Sequence, residues 1–284
     1  MAGIEEMMRA FVNMPCGEGN QSRPLPIMKW PGGKRSLSKH ILTLCPEGFG
    51  RYFEPFMGGG AVFFALCPAR AVLADADSDL INCYTQVRDR PKQVISYLSR
   101  FKNNEAEYYR VREMRSRSDV GRAARLIYLV TLSFNGIYRR NLSAEFNVPY
   151  GHKTHLKVCD RERIQLASKA LATASLHCCD FELAVAKARA KDVVYLDPPY
   201  TVAHSSNGFV KYNSKIFSWA DQERLAVVAR QLVRRGCRVI VSNADHQSIT
   251  DLYRDFSMIK VQRPSNISAK VEFRNQITEC IFYG

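Results

Sequence analysis

The string Asp197-Pro198-Pro199-Tyr200 directly follows the apolar run Val193–Leu196. A buried strand that ends in a carboxylate, two rigid prolines and an aromatic ring can hold a planar ring by its amino group. Proline has a fixed φ and no N–H, so the Pro198-Pro199 step aims its carbonyls with no donor competing for them. Asp197 can accept one hydrogen of an amino group and the Pro198 carbonyl the other, while Tyr200 offers a flat stacking face. Such a set suits methyl transfer to an amino nitrogen of a planar system. The bland alternative is a strand end followed by an Asp-Pro turn.

A second string, Phe53-Glu54-Pro55-Phe56-Met57-Gly58-Gly59-Gly60, runs from a strand-like stretch into a helix-like one. Its F-x-G-x-G core, Phe56-Gly58-Gly60, lets backbone approach a ligand closely. Alone it is a weak signal, since a Gly-rich turn can cradle a dinucleotide or simply be tight. The next strand-like stretch ends in Leu73-Ala74-Asp75, where a carboxylate meets a ribose diol in nucleotide-binding sheets. Asp77 and Asp79 beyond it read as a solvated acidic turn. A third string, Lys29-Trp30-Pro31-Gly32-Gly33-Lys34, places an indole and two amines ahead of the first strand and lacks P-loop spacing.

These residues need a scaffold that brings strand ends together. Residues 51–56, 71–75, 175–179, 193–196, 238–242 and 276–282 are strand-like, and residues 61–67, 79–88, 161–172, 181–190 and 219–235 are helix-like. Strands alternating with helices imply βαβ units, a parallel sheet and a ligand at the carboxyl ends of its strands. Residues 1–26, with three Pro and three Gly, read as a tail or a loose first helix. Residues 90 to about 160 lack strand alternation, and residues 100–125 carry eight basic against four acidic side chains. They read as a mainly helical insertion.

The chain has 284 residues, and its 41 Lys+Arg against 27 Asp+Glu leave a net charge of +14, which favours a polyanionic partner. Its longest apolar run, residues 61–69, is far short of the ~20 residues of a membrane span. Nine cysteines without a C-x-x-C pair or zinc spacing imply reduced thiols, no metal and a cytoplasmic enzyme.

With these strings in order, the sequence from Ile27 onward resembles the Dam-type DNA adenine-N6 methyltransferases that use S-adenosylmethionine (AdoMet). A fourth string supports it: Phe134-Asn135-Gly136-Ile137-Tyr138-Arg139-Arg140-Asn141-Leu142, continuing Glu145-Phe146-Asn147-Val148-Pro149-Tyr150-Gly151. F-x-G-x-G first, recognition segment next and D-P-P-Y last is the motif order of that family's α group. The resemblance implies an α/β fold, an AdoMet-methyltransferase (Rossmann-like) mixed sheet flanked by helices. Residues 27–89 and 160–284 would form the catalytic domain and residues 90–159 an inserted, mainly helical target-recognition domain. It also implies double-stranded DNA as partner, with no membrane and no obligate protein partner.

Residue by residue, the resemblance makes Trp30, Lys34, Asp75 and Asp197 AdoMet contacts, with Asp75 on the ribose hydroxyls. Glu54, Pro55 and Phe56 face the methionine part beside Gly58 and Gly60, and Asp180 and Phe181 flank the adenine. Lys29 reaches the first base of the target, and Phe134 and Asn135 insert into the duplex beside a flipped adenine. Ile137, Arg139 and Pro149 read base edges, and Arg140, Asn141 and Lys153 complete the DNA-contacting set. The expected target is GATC or a relaxed variant, since Arg140, Ser143-Ala144 and His152-Lys153-Thr154-His155 depart from the enterobacterial pattern. The polar loop 201–217 is expected to order on DNA. An RNA adenine-N6 methyltransferase and a DNA-binding regulator with an inactive site remain the alternatives.

Overall fold

The structure is a computed structural model that describes residues 23–34, 36–141, 143, 145–202, 217–264 and 276–284. The first 22 residues of the expected tail and most of the polar loop, residues 203–216, lie outside the described residues, as do Leu142 and Ala144.

Seven strands form one mixed sheet in the order β3-β2-β1-β4-β5-β7-β6. They are β1 (Tyr52–Glu54), β2 (Ala71–Asp75), β3 (Ala174–Cys178), β4 (Val193–Leu196), β5 (Arg238–Ala244), β6 (Ser257–Pro264) and β7 (Gln276–Tyr283). The first five are parallel, whereas β7 runs antiparallel between β5 and β6. This is the expected mixed sheet, and the carboxyl ends of β1, β2 and β4 lie side by side. β1 is shorter than the expected 51–56, because Pro55 cannot donate to a ladder.

The helices are α1 (Ser38–Thr43), α2 (Ala61–Leu66), α3 (Ser78–Asp89), α4 (Pro91–Leu98), α5 (Glu105–Glu113), α6 (Asp119–Leu132), α7 (Arg161–Leu171), α8 (Phe181–Val185), α9 (Trp219–Arg234) and α10 (Gln247–Leu252). Their starts follow side-chain caps. Asp77 accepts from Asp79 and Leu80 N–H to open α3, and Ser218 and Asp221 form a capping box on α9. The expected helix 181–190 stops at Val185, since the chain turns back through Lys191 at φ +69° to enter β4. Residues 90–159 are helical over α4, α5 and α6, followed by a loop closed by isolated bridges Ser133–Tyr150 and Arg140–Phe146.

Two apolar cores flank the sheet. One joins Tyr52, Leu73 and Tyr195 to α3, α4, α6 and α7, so the inserted helices share a core with the sheet. The other places Phe53, Val194 and Val241 under α8 and α9. Among the described residues no helix is long and apolar enough to cross a membrane, and no cluster of metal-ligating side chains occurs.

Candidate active site

Asp197 emerges one residue past β4, and the register that pairs Leu196 with Val241 sets it beside Ser242 of β5. Ser242 Oγ donates to Asp197 Oδ1 at 2.6 Å, and Lys34 Nζ lies 3.0 Å from the same oxygen. With the Ser242 proton committed to the carboxylate, Tyr195 must donate to Ser242 Oγ across their 2.9 Å contact. Both partners therefore fall on Oδ1. The Asp197 side chain retains 15% exposure, and Oδ2, which carries neither of these bonds, is suited to meet a ligand. Burial pushes the Asp197 carboxyl up, opposed by the charge and hydrogen bond of Lys34 and the bond from Ser242.

Tyr200 and the prolines are fixed from several directions. Tyr200 donates to Glu279 Oε2 at 2.9 Å, and Lys34 Nζ sits 4.4 Å from its ring centre. Gln222 Nε2 on α9 donates to the Pro199 carbonyl at 3.0 Å, and Asn243 Nδ2 holds the Gln222 oxygen in turn. Both amides are fully buried, which locks the D-P-P-Y backbone to α9 and β5. Thr201 Oγ1 donates to the Phe217 carbonyl at 2.7 Å, joining the two ends of the polar loop.

Glu54 and Asp75 complete a ring of carboxylates at the ends of β1, β2 and β4. Burial pushes the Glu54 carboxyl up to about 8 against the bond from Tyr52, and Asp197 and Asp75 add to the rise. Burial also raises Asp75, whose oxygens accept from Gly58 N–H at 2.9 Å and Asp77 N–H at 3.0 Å. The Gly-rich turn allows that approach. Gly58 has φ +47°, and a Cβ there would come within 2.9 Å of Trp30 Cδ1. Trp30 covers the turn and stacks on Tyr138 with ring centres 4.3 Å apart. Three acids whose carboxyls burial pushes up suit a ligand bearing positive charge and a diol, which fits the sulfonium and ribose of AdoMet. Phe56 and Phe181 lie near them, stacked at 5.4 Å, with Phe217 edge-on to Phe56. Pro55 separates Glu54 from Phe56, and Gly60, at φ +66°, opens α2.

Not every expected contact residue faces this ring. Arg224 holds both oxygens of Asp180 at 2.8 Å, and Asp180 also caps α8 through Glu182 N–H. Asp77 and Asp79 form no free acidic turn. Asp77 caps α3 and accepts from Tyr138 Oη at 2.8 Å, and Arg140 bonds Asp77 at 3.2 Å and Asp79 at 2.7 Å. Arg140 is thus a tether between the inserted segment and α3.

The other expected DNA contacts gather on the exposed rim of the loop after α6. Phe134 is 46% and Ile137 40% exposed, two apolar side chains on one rim of the same loop. Asn135, also exposed, is held at φ +54°. Phe134 N–H bonds to the Pro149 carbonyl, and Lys29 packs against Gly136. Arg139 is exposed, with Nε 2.9 Å from Asn147 Oδ1, and Lys153 Nζ lies 3.3 Å from the Ser133 carbonyl. Asn141 instead folds its side-chain oxygen onto Ser143 and Glu145 N–H, closing the turn.

Sequence reasoning missed Glu279, Ser242, Gln222, Asn243 and Tyr138. Glu279 had a readable signal, an acid set against the apolar run Cys280-Ile281-Phe282, while the others are ordinary polar residues whose partners arrive through the fold.

The D12 class of N6 adenine-specific DNA methyltransferases matches residues 30–267. The Type II methyltransferase M1.LlaDCHI of Lactococcus lactis subsp. cremoris is 41% identical over 266 residues, covering 90% of this chain and 94% of its own length. The Type II methyltransferase M.MjaIII of Methanocaldococcus jannaschii is 32% identical over 273 residues, with 88% and 94% covered. The DNA adenine methylase of Escherichia coli (strain K12) is 33% identical over 261 residues, with 90% and 93% covered.

Proposed function

The chain belongs to the D12 class of N6 adenine-specific DNA methyltransferases, and from that premise we propose that it methylates a flipped adenine in duplex DNA, with AdoMet as donor and GATC as the expected site. The observation that carries this reading is the Asp197 carboxylate, whose Oδ1 is pinned by Lys34 and Ser242, on a side chain that keeps 15% exposure.

Inside a duplex the target amino group is stacked, so the nucleotide must leave the helix at a cost of a few kcal/mol. Phe134 and Asn135, both exposed, would fill the gap it leaves. Tyr200 stacks on the extruded base, Asp197 Oδ2 accepts one N6 hydrogen and the Pro198 carbonyl accepts the other. Those acceptors favour tetrahedral nitrogen and turn its lone pair toward the donor. AdoMet, when bound, supplies an electrophilic methyl group on a sulfonium, and Glu54, Asp75, Phe56 and Trp30 would hold it. As the nitrogen becomes cationic, Asp197 stabilises the charge until one proton leaves to solvent. On the DNA side, Lys29, Arg139, Ile137 and Pro149 form the reading edge, and Lys153 neutralises phosphate.

Sequencing methylated plasmid DNA after expression in a methylation-free host tests this directly. N6-methyladenine within GATC on both strands is the expected result. A different context would correct the target alone, and no methylated adenine, with transfer to RNA instead, would contradict the reading.

A further inference from the structure

Glu279 on β7 is 1% exposed, and the residues that follow it, Cys280, Ile281 and Phe282, belong to the core. A buried carboxylate persists in such a place only when other groups hold its charge. Tyr200 Oη donates to its Oε2 at 2.9 Å, and Lys34 Nζ lies 3.9 Å from the same oxygen. That ammonium is also 3.0 Å from Asp197 Oδ1 and stands over the Tyr200 ring at 4.4 Å. One lysine therefore serves two carboxylates and occupies one face of the ring.

We propose that Glu279 is a positioning residue for methyl transfer, which tethers Tyr200 so that the target base stacks on the face away from Lys34 and which shares the Lys34 charge so that Asp197 keeps its own. The proposal rests on Asp197 and Tyr200 holding the target adenine. Its first effect is geometric. A tyrosine anchored at its hydroxyl cannot swing about its side-chain torsions, so the stacking plane is set before the base arrives. Its second effect is electrostatic. By drawing on the Lys34 ammonium, Glu279 lessens how far that charge offsets Asp197, which faces the amino nitrogen as it becomes positive.

The test is single-turnover methylation of a target duplex by the full-length enzyme at saturating AdoMet, with DNA affinity and thermal unfolding measured on the same preparations. Glutamine at 279 still accepts from Tyr200 but carries no charge, whereas leucine removes both effects. Glu279→Gln is expected to slow the single-turnover step about tenfold with DNA affinity held within about twofold. Because Glu279 acts through Tyr200, Tyr200→Phe should cost less in a Glu279→Leu background than in the wild type. A Glu279→Gln enzyme at the wild-type rate would overturn the proposal, as would a rate loss explained by the unfolded fraction or full additivity of the two substitutions. If Glu279→Leu does not fold, the Glu279→Gln rate still decides. A wild-type enzyme that methylates no DNA would sink the underlying reading, while an active one indifferent to Glu279→Gln sinks this inference alone.

Discussion

Tyr138 Oη donates a 2.8 Å hydrogen bond to Asp77 Oδ2, and the ring of Tyr138 stacks on Trp30 over the Gly-rich turn. A residue of the loop proposed to read DNA is thereby joined to the cap of α3 and to the cover of the Gly-rich turn. Arg140 strengthens the joint through Asp77 and Asp79. The proposed reading edge is thus braced against the end of β2, where Asp75 lies.

Arg140 and Lys153 should consequently separate in solution. Arg140→Ala is expected to lower thermal stability by about 1 kcal/mol or less, as for partly exposed ion pairs, without altering the salt slope of DNA binding. Lys153→Ala should weaken binding to all sequences alike and lower that slope by about one unit. Affinity measured across a salt series, beside thermal melts, checks both. Equal slopes for the wild type and Lys153→Ala would remove Lys153 from the phosphate contacts.

Arg139 sits on the exposed rim with its guanidinium steered by Asn147. Arginine forks onto guanine O6 and N7, a contact worth ~1–3 kcal/mol of discrimination. Arg139→Ala is therefore expected to lose preference at one base pair, with modest change elsewhere. Kinetics on duplexes altered one base at a time provide the check, and an unchanged preference profile would leave Arg139 without a reading role.

Glu54 should make stability depend on pH. Its carboxyl titrates near 8 in the folded chain, well above its ordinary 4.5, because burial opposes the charge. Between those values the folded protein holds a proton that the unfolded chain has released, so this group's contribution to stability falls as pH rises through that window. Glu54→Gln stays neutral throughout and should flatten the decline in melting temperature between about pH 5 and 8. Some slope should remain, since Asp75 and Asp197 are raised as well. A variant with the same pH profile as the wild type would contradict this assignment.

Gly58 offers a sharper structural test. Its φ of +47° and the 2.9 Å approach of a would-be Cβ to Trp30 leave no room for a side chain. Gly58→Ala is expected to cost about 1–2 kcal/mol of stability and to weaken AdoMet binding, because the turn must shift and carries with it the N–H that holds Asp75. Melting curves and calorimetric titration with AdoMet measure both.

Much of the scaffold could be read in advance because its signals are local. The apolar runs of β2 and β4 and the caps of α3 and α9 are each written within a few residues. β6 escaped because it is the edge strand, where Lys260 and Gln262 interrupt Ile259 and Val261, and its partner β7 follows only after residues 265–275. In the site, Asp197 and Tyr200 announce themselves by their neighbours. Glu279 shows only as an acid set against an apolar run, and its role depends on the reversed strand β7 that carries it to Lys34 and Tyr200. Gln222 likewise acquires its role only once α9 packs against the Pro199 carbonyl.

The most direct test of the account is methyl transfer by Asp197 variants, with labelled AdoMet and a target duplex. In the proposed function Asp197 accepts from the amino group, whereas affinity for DNA comes mainly from phosphate contacts. Asp197→Ala should abolish transfer while DNA binding stays largely intact, and Asp197→Asn, which still offers an accepting carbonyl, should be less damaged. An Asp197→Ala enzyme that keeps more than about a tenth of wild-type turnover, a loss below ~1.4 kcal/mol, would contradict the assignment.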